Sequence, residues 1–158
     1  MNERHTTQTT VGLSRTPTLY RLQWQRAPRE GKREYVRCGA DILLSGLTGD
    51  LEAEARCPVC GKLTKLLILD RKIAGLEPKD AVLHVVEMPG EAGRVWVECE
   101  ATHIFDREAC FQKWVSSYKG KQGRVTSIKN YHDLIVRRRT NPHKIVPIAR
   151  TEPRGGPP

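Results

Sequence analysis

The side chains able to do chemistry in this sequence are few, and five cysteines stand out among them. Cys38 precedes Asp41 by three residues, so a turn or helix start at that point brings a thiol and a carboxylate to the same side. A small buried cysteine beside a capping aspartate would have the same spacing, and the pair alone leaves both readings open. Cys57-Pro58-Val59-Cys60-Gly61 has the spacing of half a zinc site, because a two-residue gap lets both thiolates of a turn face one tetrahedral ion. The sequence has no second Cys-x-x-Cys, so a full shell would draw on Cys38, Cys99, Cys110 or a histidine from a distant position. Cys99 opens the run Cys99-Glu100-Ala101-Thr102-His103-Ile104-Phe105, at the junction between a strand end and the loop before a helix, where rigid elements commonly support a site. His103 reads there as a hydrogen-bonded structural histidine, and Cys110, on an apolar stripe with Phe111 and Trp114, as core packing.

The elements that must position these groups follow from hydrophobic period. Tyr20, Leu22 and Trp24 alternate with Arg21 and Gln23 and predict a strand with one buried face. A turn at residues 28–31 lets residues 34–37 return as the second strand of a hairpin, with Cys38 at its end. Residues 63–69 and 81–88 read as further strands, with turns at Cys57–Gly61 and at Pro89-Gly90 to Gly93. In residues 94–99, Val95, Val97 and Cys99 alternate with Arg94, Trp96 and Glu98, which aims Cys99 inward. Asp106 is the expected N-cap of an amphipathic helix carrying Cys110, Phe111, Trp114, Val115 and Tyr118 and ending at Gly120. Residues 125–128 read as a last strand and Tyr131, Leu134 and Ile135 as one face of a last short helix. The expected class is α+β, a mainly antiparallel sheet with a few short helices in a single compact domain. Its expected limits are residues 17–139, between a flexible segment at 1–16 and a flexible, basic, Pro/Gly-containing tail at 140–158.

Charge and composition narrow the functional classes. The formal charge of +9 is concentrated in residues 1–37 and 134–158, and the middle of the chain is nearly neutral. Such ends serve solubility or weak polyanion contact, so a dedicated nucleic-acid role is not expected, although Arg137-Arg138-Arg139 is the feature that would favour one. No apolar run approaches the ~20 residues of a membrane-spanning helix. Residues 1–10 lack the apolar stretch of a secretory signal, and a cytoplasmic, reducing location is expected. There, an odd number of cysteines reads as reduced thiols for metal binding or catalysis and not as a disulfide framework.

Taken together, Tyr35-Val36-Arg37-Cys38-Gly39-Ala40-Asp41-Ile42-Leu43, Cys57, Val97-Glu98-Cys99, His103-Ile104-Phe105 and Trp114 resemble, in order and approximate spacing, the catalytic domain of organomercurial (alkylmercury) lyases. The resemblance covers roughly residues 17 to 133 and is specific because three functional positions match together. It implies that Cys38 and Cys99 hold mercury, that Asp41 transfers the proton, and that Cys57 is structural. Two departures accompany it. The family's N-terminal helical, winged-helix-like domain has only a short polar segment in its place, which leaves site shielding and substrate range open, and a homodimer could supply the missing cover. Cys60 completes a Cys-x-x-Cys that the better-known members lack, leaving room for a structural zinc at Cys57 and Cys60 or for a second thiol trap.

The implied chemistry is coherent. Mercury is a soft cation, and thiolates are the ligands such metals select over carboxylate or amine. Two thiolates add electron density to the metal, and the bonded carbon becomes basic enough to accept a proton. An ordinary aspartate, with a pKa of about 3.9, is ionised at neutral pH, so it must first collect a proton; a thiol turned acidic by metal engagement can supply it. The products would be a hydrocarbon and Hg(II) held by two cysteines, for removal by small thiols or a mercuric reductase, with no organic cofactor. Two other readings remain beside this one. One is a non-catalytic thiolate metal-binding protein of the same fold. The other is a closed zinc site of Cys38, Cys57, Cys60 and Cys99 in a protein whose basic tails contact nucleic acid.

Overall fold

The computed structural model describes residues 13–14, 16–90 and 94–140. The segments 1–16 and 140–158, expected as flexible, lie outside these residues but for a few positions at their inner ends, as does Gly93.

Alternation builds the main sheet. Strands β1 (Leu13–Ser14), β2 (Tyr20–Trp24), β3 (Arg33–Val36), β4 (Leu51–Arg56), β5 (Leu63–Leu69) and β6 (Lys72–Glu77) form an antiparallel sheet in the order β1-β3-β2-β4-β5-β6. Tyr20, Leu22 and Trp24 of β2 and Leu51, Ala53 and Ala55 of β4 are buried on one face, as period two requires. The β5–β6 hairpin turns through Asp70 and Arg71, whose positive φ values of 53° and 63° match the twist of the flanking strands. Asp70 tolerates this geometry, and its N–H donates to Asp50 Oδ1 at 2.8 Å.

A second layer crosses the buried face. The short helix α1 (Gly39–Ser45) leaves β3 directly and is buried at every position but Leu44. Strand β7 (Val82–Val85) is the centre of a three-stranded sheet with β10 (His103–Phe105) and β11 (Arg124–Ser127), while β8 (Glu87–Pro89) pairs separately with β9 (Val95–Val97). The single strand expected over residues 81–88 is therefore two. Val86 is the pivot: its N–H is taken by Thr102 Oγ1 (3.3 Å) and its carbonyl by the N–H of Glu98 (2.9 Å). Helix α2 (Glu108–Ser117) packs on β10 and β7, and helix α3 (Ile128–Thr140) on β7 and β11.

One apolar core joins the main sheet to α1, β7, β10 and the Ile128, Tyr131, Leu134 and Ile135 face of α3. Glu87 locks α3 down: its buried carboxylate accepts bonds from both terminal guanidinium nitrogens of Arg138 (2.7 and 3.1 Å) and from the Tyr131 hydroxyl (2.6 Å). Arg138, the middle of the basic run, is thus an internal ion-pair partner and not part of an outward cationic face. The N-cap of α2 differs from expectation. Arg107 occupies the cap position in extended conformation, and the Asp106 carboxylate accepts a bond from Arg107 Nε (3.0 Å) in place of capping the helix. The α+β, mainly antiparallel architecture is as expected; no described helix is long and apolar enough to cross a membrane.

Candidate active site

Two remote segments of the chain meet beside α1. Cys38 is the cap residue of that helix, in extended conformation (φ −150°, ψ 173°), and its carbonyl accepts the Asp41 N–H at 3.0 Å. The turn so formed sets the Cys38 thiol and the Asp41 carboxylate on one side. The intervening Gly39 is required by packing: a Cβ there would come within 2.7 Å of Ile104 Cγ1, so β10 can approach α1 only because position 39 has no side chain.

Cys99 arrives from the other direction. It begins a single 3-10 turn, Cys99–Ala101, after β9, and keeps the half-buried face shared with Val95 and Val97. The Cys38 and Cys99 sulfurs and an Asp41 oxygen all lie within 4.8 Å of one another, with Cys99 Sγ 3.9 Å from Asp41 Oδ2. Cys38 and Asp41 are buried, and Cys99 is the member reached by solvent.

Two histidines and a tyrosine hold the Cys99 turn. The Gly123 N–H donates to His84 Nε2 (3.0 Å), so the ring proton sits on Nδ1 and bonds the Ala101 carbonyl at 2.6 Å. The Ile104 N–H donates to the Tyr20 hydroxyl oxygen (3.3 Å), leaving the hydroxyl proton for His103 Nδ1 at 2.7 Å. His103 also bonds the backbone of Glu100. Burial pushes both imidazoles below their ordinary pKa, favouring the neutral rings these bonds need. His103 is the hydrogen-bonded structural histidine its sequence context suggested. His84 and Tyr20 were not legible as supports, because their partners come from elements far along the chain.

The two thiols are electrostatically unequal. Cys38 is held well above the ordinary thiol pKa, first by its hydrogen bond to Cys99, then by burial and the Asp41 charge. Cys99 is lowered by that same bond from Cys38, with the exposed Arg37 guanidinium also favouring the thiolate, against opposing effects of burial and Asp41. Cys99 is therefore the more acidic and the more exposed of the two thiols.

The remaining cysteines assemble elsewhere. The sulfurs of Cys57, Cys60 and Cys110 also lie within 4.8 Å of one another, Cys57 and Cys110 buried and Cys60 exposed. Cys110 does sit in the small apolar cluster with Cys57, Phe105 and Phe111, as its helical stripe predicted, but its sulfur also joins Cys57 and Cys60, one of the several completions the sequence left open. A four-cysteine site of Cys38, Cys57, Cys60 and Cys99 is not formed, because α2 presents Cys110 to the Cys57–Cys60 turn while Cys38 and Cys99 pair with Asp41.

The sequence model of the alkylmercury lyase family matches residues 13–138. Among solved structures, the mercury-bound form of MerB2 shares the fold with a TM-score of 0.60 at 21% identity, over 77% of this chain and 58% of that one. The chain thus spans less than two thirds of the length of that protein. No curated relative matches the chain. A family match over most of the sequence, on a fold that brings Cys38, Asp41 and Cys99 into one cluster, leads to one assignment: the chain belongs to the alkylmercury lyase family.

Proposed function

We propose that the chain cleaves carbon–mercury bonds by protonolysis, with Cys38 and Cys99 as mercury ligands and Asp41 as the group that delivers the proton. The observation that carries this reading is the meeting of Cys38, Asp41 and Cys99, from segments about sixty residues apart, within 4.8 Å. Two sulfurs on opposite sides of one mercury, at bonds comparable to the ~2.3 Å of Zn–S, stand about 4.6 Å apart. Sulfurs within that limit can share one soft ion.

The inequality of the thiols sets an order. Cys99, with thiolate character and access to solvent, takes the R–Hg unit first and releases the substrate's outgoing thiolate. Cys38 then adds to the metal; its S–H proton passes to the Asp41 carboxylate as the Hg–S bond forms. Asp41 gives that proton to the carbon, whose electron pair leaves the breaking C–Hg bond, and hydrocarbon departs. Hg(II) stays between two thiolates and Asp41 is again ionised, so the proton on the product is the one Cys38 carried. No organic cofactor takes part. Small thiols or a mercuric reductase would remove Hg(II), and a reducing cytoplasm suits a chain whose five cysteines are all free. The expected zinc at Cys57 and Cys60 belongs to the second thiol group.

The test is headspace detection of benzene from phenylmercury, or methane from methylmercury, with excess small thiol present. Repeated turnover by the full chain is expected. Stoichiometric binding without hydrocarbon release would make the protein a mercury binder and overturn the proposal.

A further inference from the structure

The Cys57–Cys60 turn and α2 together carry a feature that carbon–mercury cleavage does not use. The turn has the backbone of a metal knuckle: the Gly61 N–H returns to the Cys57 carbonyl (3.0 Å), the Cys57 N–H to the Lys62 carbonyl (2.9 Å), and Gly61 takes φ +78°, a conformation glycine adopts without strain. Backbone N–H groups of Asp106, Cys60 and Val59 face the Cys57 sulfur. That is the support a metal-bound thiolate needs, since sulfur carrying charge is stabilised by converging donors. The third sulfur comes from Cys110 in the first turn of α2.

We propose that Cys57, Cys60 and Cys110 bind a structural zinc ion, with water or a small thiol completing the tetrahedron on the exposed Cys60 side. Zn–S bonds of about 2.3 Å put tetrahedral sulfurs about 3.8 Å apart, so sulfurs already within 4.8 Å close on an ion by small side-chain rotations. Three thiolates on Zn²⁺ leave one net negative charge. Arg56, bonded to the Gly61 carbonyl at 2.8 Å, stands beside it, whereas Arg107 is ion-paired with Asp106 at 3.0 Å. The ligand sets separate the two groups chemically: two thiols and a carboxylate suit a two-coordinate soft ion, three thiols suit tetrahedral zinc. The ion would clip the β4–β5 turn to α2, where the apolar cluster is only Cys57, Phe105, Cys110 and Phe111 with a few partly buried neighbours. This inference is independent of the lyase reaction.

The experiment uses the full chain carrying Cys38→Ser and Cys99→Ser, so that the other thiol pair contributes nothing. Protein prepared under reducing conditions with zinc and then desalted should retain about one zinc per chain, with three sulfurs near 2.3 Å by X-ray absorption. Adding Cys110→Ser should weaken zinc binding by about a hundredfold or more, since loss of an outer-shell partner alone costs roughly 10–100-fold. Cys60→Ser, at an exposed position that folding tolerates, should do the same if the Cys110 variant fails to fold. Stripping the zinc should lower Tm. A chain that retains no zinc at micromolar free metal, or whose zinc has one sulfur neighbour or is indifferent to Cys60→Ser, would overturn the proposal.

Discussion

Replacing Asp41 with asparagine separates proton delivery from metal capture, and the structure sets opposite signs for the two. Asparagine keeps the volume of this buried side chain and the backbone N–H that bonds the Cys38 carbonyl, so the turn should persist. The loss of a negative charge in the first turn of α1 removes about 0.3–1 kcal/mol of dipole interaction, a minor change in stability. Both thiols should become more acidic, because the Asp41 charge pushes Cys38 and Cys99 upward and its carboxylate also bonds Cys99. Mercury(II) capture should therefore persist and extend to lower pH. Turnover should collapse, since a positioned general acid contributes on the order of 10²–10⁴ in rate, or about 3–5 kcal/mol of barrier. The assay pairs headspace hydrocarbon measurement with the pH dependence of thiol alkylation in wild type and Asp41→Asn. An Asp41→Asn variant that releases hydrocarbon within about threefold of wild type would refute the assignment, and Glu100 or His103 beside Cys99 would be tested next.

Two further outcomes concern the scaffold. Glu87→Ala strips the partner from the buried Arg138 and from the Tyr131 hydroxyl, and breaking a buried pair this way should cost about 3–5 kcal/mol; a fall in Tm under about 2 °C would mean that α3 does not depend on this lock. His84, His103 and His132 are all pushed by burial below their ordinary value, so the folded state binds fewer protons than the unfolded one. Their contribution is complete above the unfolded value of about 6.5 and declines as pH falls from there toward the folded values. Urea midpoints should drop between pH 7 and 5, and a flat profile across that range would contradict the neutral-ring assignments at His84 and His103.

Much of this molecule was legible one strand at a time, because alternation and helical period are local. Tyr20, Leu22 and Trp24 announced a half-buried strand, the Cys38-x-x-Asp41 spacing announced a shared side, and the alternation through Val95, Val97 and Cys99 aimed the last thiol inward. The family resemblance read from the sequence names the same three positions that the fold brings within 4.8 Å of one another. Local period failed where the backbone served two partners. Residues 81–88 look continuous, yet Val86 gives its N–H and carbonyl to Thr102 and Glu98 and splits the run between two sheets. Strand β4, whose buried positions include two small alanines, and the hairpin strand β6, with its glycine, carry too weak an apolar signal to be read as strands.

What only the tertiary structure decided was which distant groups share a neighbourhood. Nothing in the sequence near Cys110 indicates that α2 turns its sulfur onto the Cys57–Cys60 turn, because the helical stripe that buries it is satisfied by any apolar surroundings. The supports of the Cys99 turn are equally nonlocal: His84 reaches Ala101 and Gly123, and Tyr20 reaches His103, only after the sheets have packed. The unequal acidity of Cys38 and Cys99 belongs to the same level. Residue type supplies two identical thiols; burial, one S–H bond and the side on which Arg37 stands make Cys38 the weaker acid and Cys99 the stronger.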